Sequence, residues 1–146
     1  MRIVPFEAAH GRALLEGNLN DERNRPSPWV AEFIDGLVNE DLAFTAIDNG
    51  HLILSAGVFE LWHGVAEVWF LASDKVSKPS VSLFSHIKRD LLRIADEHGF
   101  WRLQAVTQTG WNDAARLARF MGMENEGTMK QYGANREDYE RWALIL

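Results

Sequence analysis

The chain has 146 residues, a length that suits one domain built around one hydrophobic core. A hydrophobic content of 47% leaves no room for a disordered half, and the absence of cysteine excludes a disulfide framework, a thiol nucleophile and a thiolate zinc site. The formal charge of −6 opposes tight binding to a nucleic-acid backbone.

The first residues carry no signal for secretion, and no uncharged run approaches the roughly 18 residues of a membrane span. We therefore expect a single domain over residues 1–146 that is cytoplasmic and binds neither a membrane nor nucleic acid. Histidines are scattered without metal-ligand spacing, so we expect no metal site.

The first part of the chain predicts a strand, two helices and a hairpin. Residues 2–6 alternate weakly and predict a strand, and EAAHGRALLEG predicts a helix after it. Ser27-Pro28 is typical of a helix start, and WVAEFIDGLV repeats apolar residues at spacings of four. Residues 42–47 predict a strand that turns at Asp48-Asn49-Gly50, because Asn-Gly supplies the positive φ angles of a tight hairpin.

The return strand runs from His51 to a turn at Trp62-His63-Gly64. VAEVWFLAS after that turn is largely apolar and predicts a central strand that is buried on both faces. A helix follows and ends at His98-Gly99. Its apolar stripe consists of Phe84, Ile87, Leu91 and Ile94.

The rest of the chain predicts a strand, a helix and two strands. FWRLQAVTQTG is the strand, and WNDAARLARFMG is a helix that Asn112 caps and Gly122 ends. Residues 124–129 and 139–146 predict the final pair of strands. The predicted order is β, α, α, β, β, β, α, β, α, β, β.

This order resembles that of the GNAT superfamily of acyl-CoA N-acyltransferases. Three stretches carry the resemblance: AEVWFLASD with the helix that ends in DEHGF, the strand WRLQAVT, and the helix NDAARLARFMGM. The short, tryptophan-rich form is also similar to GNAT-like proteins encoded by tailed phages. The resemblance implies an α/β GNAT-like fold, with a mixed, mostly antiparallel sheet of six or seven strands and about four helices. It also implies that the strands VAEVWFLAS and WRLQAVT diverge from each other, a feature called the splay below. It further implies acetyl-CoA as co-substrate.

The loop before the second long helix departs from the GNAT pattern. GNAT enzymes carry an Arg/Gln-x-x-Gly-x-Gly/Ala loop there, because glycines let backbone N–H groups approach the pyrophosphate of the coenzyme. The glycine positions fall near Ser80 and Ser82 in this chain, and no glycine lies between Gly64 and Gly99. Anion binding by this loop is therefore weakened but not excluded.

Two interpretations of this loop stay open. Lys75 or Lys78 could meet a phosphate, or Ser77 and Ser80 could simply cap the helix. The coenzyme contacts that the resemblance implies are Leu71, Ser73, Lys78, Ser80, Val81, Ser82 and Asn112.

Acetyl transfer to an amine requires a base, and two carboxylates are candidates. Glu67 opens the apolar strand where many GNAT proteins carry an acidic residue, and Glu60 ends the preceding strand. A regular strand would place Glu67, Trp69 and Leu71 on one face. A carboxylate in so apolar a strand must either have a partner or have a raised pKa. The competing interpretation is that Glu67 sits at a strand end in contact with water.

The tyrosine that usually protonates the sulfur falls at Ala118, which has no proton to donate. Tyr132 and Tyr139 are the two tyrosines of the chain and the remaining candidates. The leading functional prediction is acetyl-CoA-dependent N-acetyl transfer to a primary amine of a small molecule or a protein. The alternative is a GNAT-like module that has lost the reaction and serves a structural or interaction role, for example in a phage. Trp62 and Trp111 lie near turns, where they belong either to the core or to a groove or homodimer contact.

Overall fold

A computed structural model describes residues 1–17, 28–73 and 80–146 of the chain. Its helices are α1 (Ala8–Gly17), α2 (Pro28–Glu32), α3 (Val81–His98) and α4 (Asn112–Phe120), with a 3-10 helix at Ile34–Leu37. Its strands are β1 (Arg2–Pro5), β2 (Ala43–Asp48), β3 (His51–Trp62), β4 (Val65–Ala72), β5 (Arg102–Gln108), β6 (Glu124–Met129) and β7 (Tyr139–Ile145). The predicted order of strands and helices is confirmed.

The strands form one seven-stranded sheet in the order β1-β2-β3-β4-β5-β7-β6. β4 runs parallel to β5, whereas β1 with β2, β2 with β3, β5 with β7 and β6 with β7 are antiparallel. The α/β class and the mixed, mostly antiparallel sheet are therefore confirmed. No helix in the described part of the chain is both long and apolar enough to cross a membrane.

By their contacts the residues group into two compact units, Met1–Phe59 with Trp69–Ser80, and Glu60–Val68 with Val81–Leu146. The first unit holds the predicted hairpin. Asn49 and Gly50 have φ angles of 50° and 77°, and Asp48 pairs with His51 across the turn. One core cluster of this unit contains Phe6, Leu14, Val30, Ile34, Leu37, Ala43, Trp69 and Leu71.

The helix predicted from WVAEFIDGLV is divided in two. α2 ends at Glu32, and the 3-10 helix carries Ile34 and Leu37 into the core while Phe33 is 55% exposed. Gly36 lowers the helix propensity of this segment, and the tighter 3-10 turn keeps the buried residues on one side. The spacing of four that includes Phe33 therefore wrongly predicted one continuous helix with Phe33 on its buried face.

The second unit contains α3 and α4. Its long helix buries Leu83, Ile87, Leu91, Ile94 and Ala95, and so confirms most of the predicted stripe. Phe84 is half-buried and its ring lies 5.9 Å from that of Phe120.

The prediction that Asn112 caps α4 is wrong. The cap position is Trp111, whose carbonyl accepts from the Ala115 N–H, so Asn112 is the first helical residue. Helix boundaries shift by one residue in this way because a cap is defined by backbone bonds as well as by residue type.

Candidate active site

Alternate residues of β5 and β7 point to opposite faces of the sheet. On one face, the indole N–H of Trp142 donates to Thr107 Oγ1 at 2.8 Å, and Arg119 of α4 lies over the Trp142 ring at 5.4 Å. α4 therefore covers this face. Gln104 and Arg141 have the other parity and project from the opposite face.

Glu67 of β4 lies beside Gln104 in the parallel pairing and joins this opposite face. Its carboxylate accepts from Gln104 Nε2 at 3.0 Å and from Arg141 Nη1 at 2.7 and 2.9 Å. Glu67 is 6% exposed, which rules out the interpretation that it sits in water at a strand end. The carboxylate is paired, one of the two outcomes expected for its apolar strand.

The hydrogen bonds continue across the face to β6. Arg102 Nε donates to Gln104 Oε1 at 2.9 Å, and the two Nη atoms of Arg102 donate to the Glu126 carboxylate at 3.1 and 2.5 Å. We call the five residues Glu126, Arg102, Gln104, Glu67 and Arg141 the polar chain. Its two guanidinium groups balance its two carboxylates, so the polar chain has no net formal charge.

The outer ion pair of the polar chain perturbs both of its members. The hydrogen bond with Glu126 raises the pKa of Arg102 above its ordinary value, against the effect of burial. The same hydrogen bond lowers the pKa of Glu126. Both shifts favour the charged forms, so this pair stays ionised at neutral pH.

Tyr132 lies within electrostatic reach of the polar chain. Its ring packs edge-on against Tyr139, with centroids 5.2 Å apart. Burial raises the pKa of Tyr132 above 10.0, the Glu67 charge raises it further, and the Arg141 charge opposes the shift. The phenol therefore keeps its proton at neutral pH.

The other positions that the sequence suggested for catalysis are Glu60 and Ala118. Glu60 is exposed at the end of β3. Ala118 is 5% exposed on α4 and supplies no donor. In the described part of the chain, no group of three or more His, Asp or Glu residues could hold a metal ion.

The candidate coenzyme contacts occupy the end of β4 and the start of α3. Leu71 is buried, and the Ser73 amide donates to the Ile53 carbonyl at 2.8 Å, so that N–H is engaged by β3. Ser80, Val81 and Ser82 are exposed at the start of α3, whose first turn holds no acidic residue.

The remaining two candidates of this set are Lys78 and Asn112. Lys78 lies outside the described residues, and Asn112 is exposed in the first turn of α4. The pairing of β4 with β5 covers Val65–Glu67 against Arg102–Gln104. The coenzyme contacts and the splay beyond these pairs stay predictions.

Sequence reasoning identified Glu67 but missed the other members of the polar chain. The alternation of Arg102 and Gln104 with Leu103 in WRLQAVT was an available signal for a polar face. Arg141 and Glu126 could not be found in this way, because their contacts depend on the register of β5, β7 and β6.

Solved structures similar to this chain are acetyltransferases by description. A ribosomal-protein-alanine N-acetyltransferase from Brucella melitensis has a TM-score of 0.74 at 18% identity, over 100% of both chains. A GNAT-family acetyltransferase from Bacillus anthracis has a TM-score of 0.72 at 17% identity, over 98% of this chain and 93% of its own. A mutant spermidine N-acetyltransferase from Vibrio cholerae has a TM-score of 0.71 at 17% identity, over 99% and 95%.

No family model matches the sequence, and neither does any curated protein. The similarity is thus one of structure at low identity, and it extends over nearly the whole chain. This chain has the fold of the GNAT acetyltransferases.

Proposed function

We propose that this chain is an acetyl-CoA-dependent N-acetyltransferase acting on a primary amine of a small molecule or a protein. The fold supports the reaction class. The observation that carries the proposal is Glu67, a buried carboxylate on β4 that faces away from α4 and is paired with Arg141. A buried carboxylate whose charge acts on a protonated phenol would supply the acid and base pair that acyl transfer needs.

Glu67 is the proposed base. An amine arrives largely as an ammonium ion and must lose a proton before its nitrogen attacks the thioester carbonyl carbon. The Glu67 carboxylate attracts the ammonium and takes that proton directly or through water, and Glu60 acting through water is the second candidate. As the C–N bond forms, the C–S bond breaks and the sulfur takes a proton. Tyr132 is the proposed donor because it is 39% exposed and its phenol is within electrostatic reach of Glu67, whereas Tyr139 is 3% exposed.

Acetyl-CoA would supply the acetyl thioester. The start of α3 suits the pyrophosphate of the coenzyme, because it is the exposed N-terminus of an 18-residue helix with no acidic residue in its first turn. The hydroxyls of Ser80 and Ser82 would add donors there. Leu71 and Ser73, together with Lys78, Val81 and Asn112, remain the other proposed contacts.

A thiol-release assay with acetyl-CoA and a panel of primary amines tests the proposal. We expect Glu67→Gln to reduce turnover at least about a hundredfold, the usual effect of removing a general base. Glu126→Gln removes a carboxylate from the same polar chain at its far end and is the matched control, with a smaller expected loss. If Glu67→Gln keeps full turnover and Glu60→Gln loses it, Glu60 is the base. Full turnover in both variants would contradict the proposed chemistry.

A GNAT-like module without catalytic activity is the second candidate function. Two observations favour it: the Glu67 carboxylate already accepts three hydrogen bonds, and Ala118 offers no donor on α4. Trp62 is 64% exposed, so it offers a contact surface for a partner or a second copy rather than core packing. Failure to bind acetyl-CoA, together with failure to acetylate any amine, would select this candidate.

A further inference from the structure

Arg141 is only partly satisfied by its contacts within the protein. It binds Glu67 through one nitrogen, Nη1. Its Nη2 lies 3.9 Å from Met129 Sδ, a weak acceptor, and its Nε has no acceptor in the described part of the chain. The side chain is 23% exposed. The Nε and Nη2 edge is the edge that binds a carboxylate through two parallel hydrogen bonds.

Arg102 provides the contrast within the same polar chain. Its Nε donates to Gln104, and both of its Nη atoms donate to Glu126. All three of its guanidinium nitrogens therefore have an oxygen acceptor, including Nε and Nη2, the two nitrogens that have none in Arg141 within the described part of the chain. An additional anion would therefore meet open donors at Arg141 and not at Arg102.

The charges beside Arg141 limit what such an anion can be. Glu67 lies within hydrogen-bond distance of the guanidinium, so an isolated anion would meet a negative charge. A molecule with an ammonium group next to a carboxylate avoids this repulsion, because the ammonium can face Glu67 while the carboxylate faces Arg141. A polyamine would instead place its second cation against the guanidinium.

We propose that the amine acceptor carries a carboxylate beside its amine, as a free amino acid does, and that Arg141 binds this carboxylate. The inference rests on the proposed function, because only an acetyltransferase has an amine acceptor. Binding of the carboxylate by Arg141 does not require the coenzyme. Arg141 is then a specificity-determining residue: it selects the acceptor, and Glu67 takes its proton.

Binding is tested without acetyl-CoA by observing the arginine Nε–H signals in the NMR spectrum. Alanine and alaninamide are the probes, since they differ in the carboxylate alone. We expect alanine to shift the Arg141 signal and leave the Arg102 signal in place, and alaninamide to shift neither. Arg141→Gln and Arg102→Gln assign the two signals. No shift of the Arg141 signal with millimolar alanine would overturn the inference.

Selectivity is tested by the ratio of kcat/KM for alanine to that for alaninamide, with spermidine as a third acceptor. We expect a ratio of about ten or more in the wild type, because an unmatched polar group in a binding site is costly. Arg141→Gln should bring the ratio to about one, while Arg102→Gln should preserve the preference. Arg141→Lys keeps the charge beside Glu67 but lacks the edge that forms two parallel hydrogen bonds, so it should also lower the ratio. It replaces Arg141→Gln if the glutamine variant does not fold.

The two proposals fail in different ways. A shifted Arg141 signal without any acetyl transfer would refute the proposed function and leave a carboxylate site at Arg141. Efficient transfer to alaninamide or spermidine with equal or lower transfer to alanine would support the proposed function and overturn the inference.

Discussion

Arg141 Nη1 lies 2.7 Å from Glu67 Oε1, although the two residues are 74 positions apart in the sequence. They meet because β5 pairs with β4 on one side and with β7 on the other, which places both side chains on the same face. The side chain of Glu67 is 8% exposed and that of Arg141 is 23% exposed. The pair is therefore shielded from water much more than a surface ion pair.

A double-mutant cycle should show strong coupling between these residues. We expect Glu67→Gln, Arg141→Gln and the double variant to give a coupling free energy of about 1–3 kcal/mol in unfolding, because each single change leaves a shielded charge without its partner. Urea unfolding measures it. Arg12 and Asp35, an ion pair whose side chains are 61% and 79% exposed, are the control and should give about 0.5 kcal/mol or less. Equal coupling in the two cycles would contradict the shielding of the Glu67 pair.

Tyr132 should report the charges of this pair. Because Glu67 raises the pKa of Tyr132 and Arg141 lowers it, Glu67→Gln should lower that pKa and Arg141→Gln should raise it. Absorbance titration in a Tyr139→Phe background isolates Tyr132, since the chain has two tyrosines. Titration of Tyr132 that is the same in all three proteins would place it away from the polar chain.

The same group affects stability in alkali. The folded pKa of Tyr132 is above 10.0, so above that pH the unfolded chain loses the proton while the folded chain keeps it. Stability should therefore fall as the pH rises above about 10. Tyr132→Phe should remove this part of the loss.

Glu126 should affect stability in acid. Its pKa is lowered from 4.5, mainly by the hydrogen bond from Arg102, so its contribution is complete above 4.5 and is lost as the pH falls through the lower folded value. The difference in unfolding free energy between the wild type and Glu126→Gln should be constant near neutral pH and should shrink below pH 4.5. In an Arg102→Gln background this pH dependence should disappear. Its persistence there would assign the shift to another cause.

Gly64 should be intolerant of a side chain. It has a φ of 88°, and a Cβ there would overlap the Trp101 ring. Gly99 has a φ of 70° with open space around the same position, which makes it the matched control. We expect Gly99→Ala to cost about 1 kcal/mol from backbone strain alone. Gly64→Ala should cost at least about 1 kcal/mol more, a difference that Trp101→Ala should remove.

The sequence predicted the fold well because the relevant signals are local. The Asn49-Gly50 turn, the stripe of α3 and the apolar β4 each depend on neighbouring residues. The errors also have local causes: Gly36 divides a predicted helix, and Trp111 takes the cap position assigned to Asn112.

The site was less predictable because its contacts depend on strand register. Glu67 could be singled out as a carboxylate in an apolar strand. Its partners could not, since Gln104 and Arg141 reach it through the pairing of β5 with both β4 and β7. The open edge of Arg141 follows from those contacts and has no signature in the sequence.

Calorimetric titration with acetyl-CoA tests the central claim most directly. We expect micromolar binding by the wild type and loss of most of it when Ser80 and Ser82 are both changed to aspartate, because two negative charges at the start of α3 repel the pyrophosphate. Ser85→Asp adds a charge to the same helix beyond that start and should keep most of the binding. No heat and no thermal shift with millimolar acetyl-CoA would contradict the account.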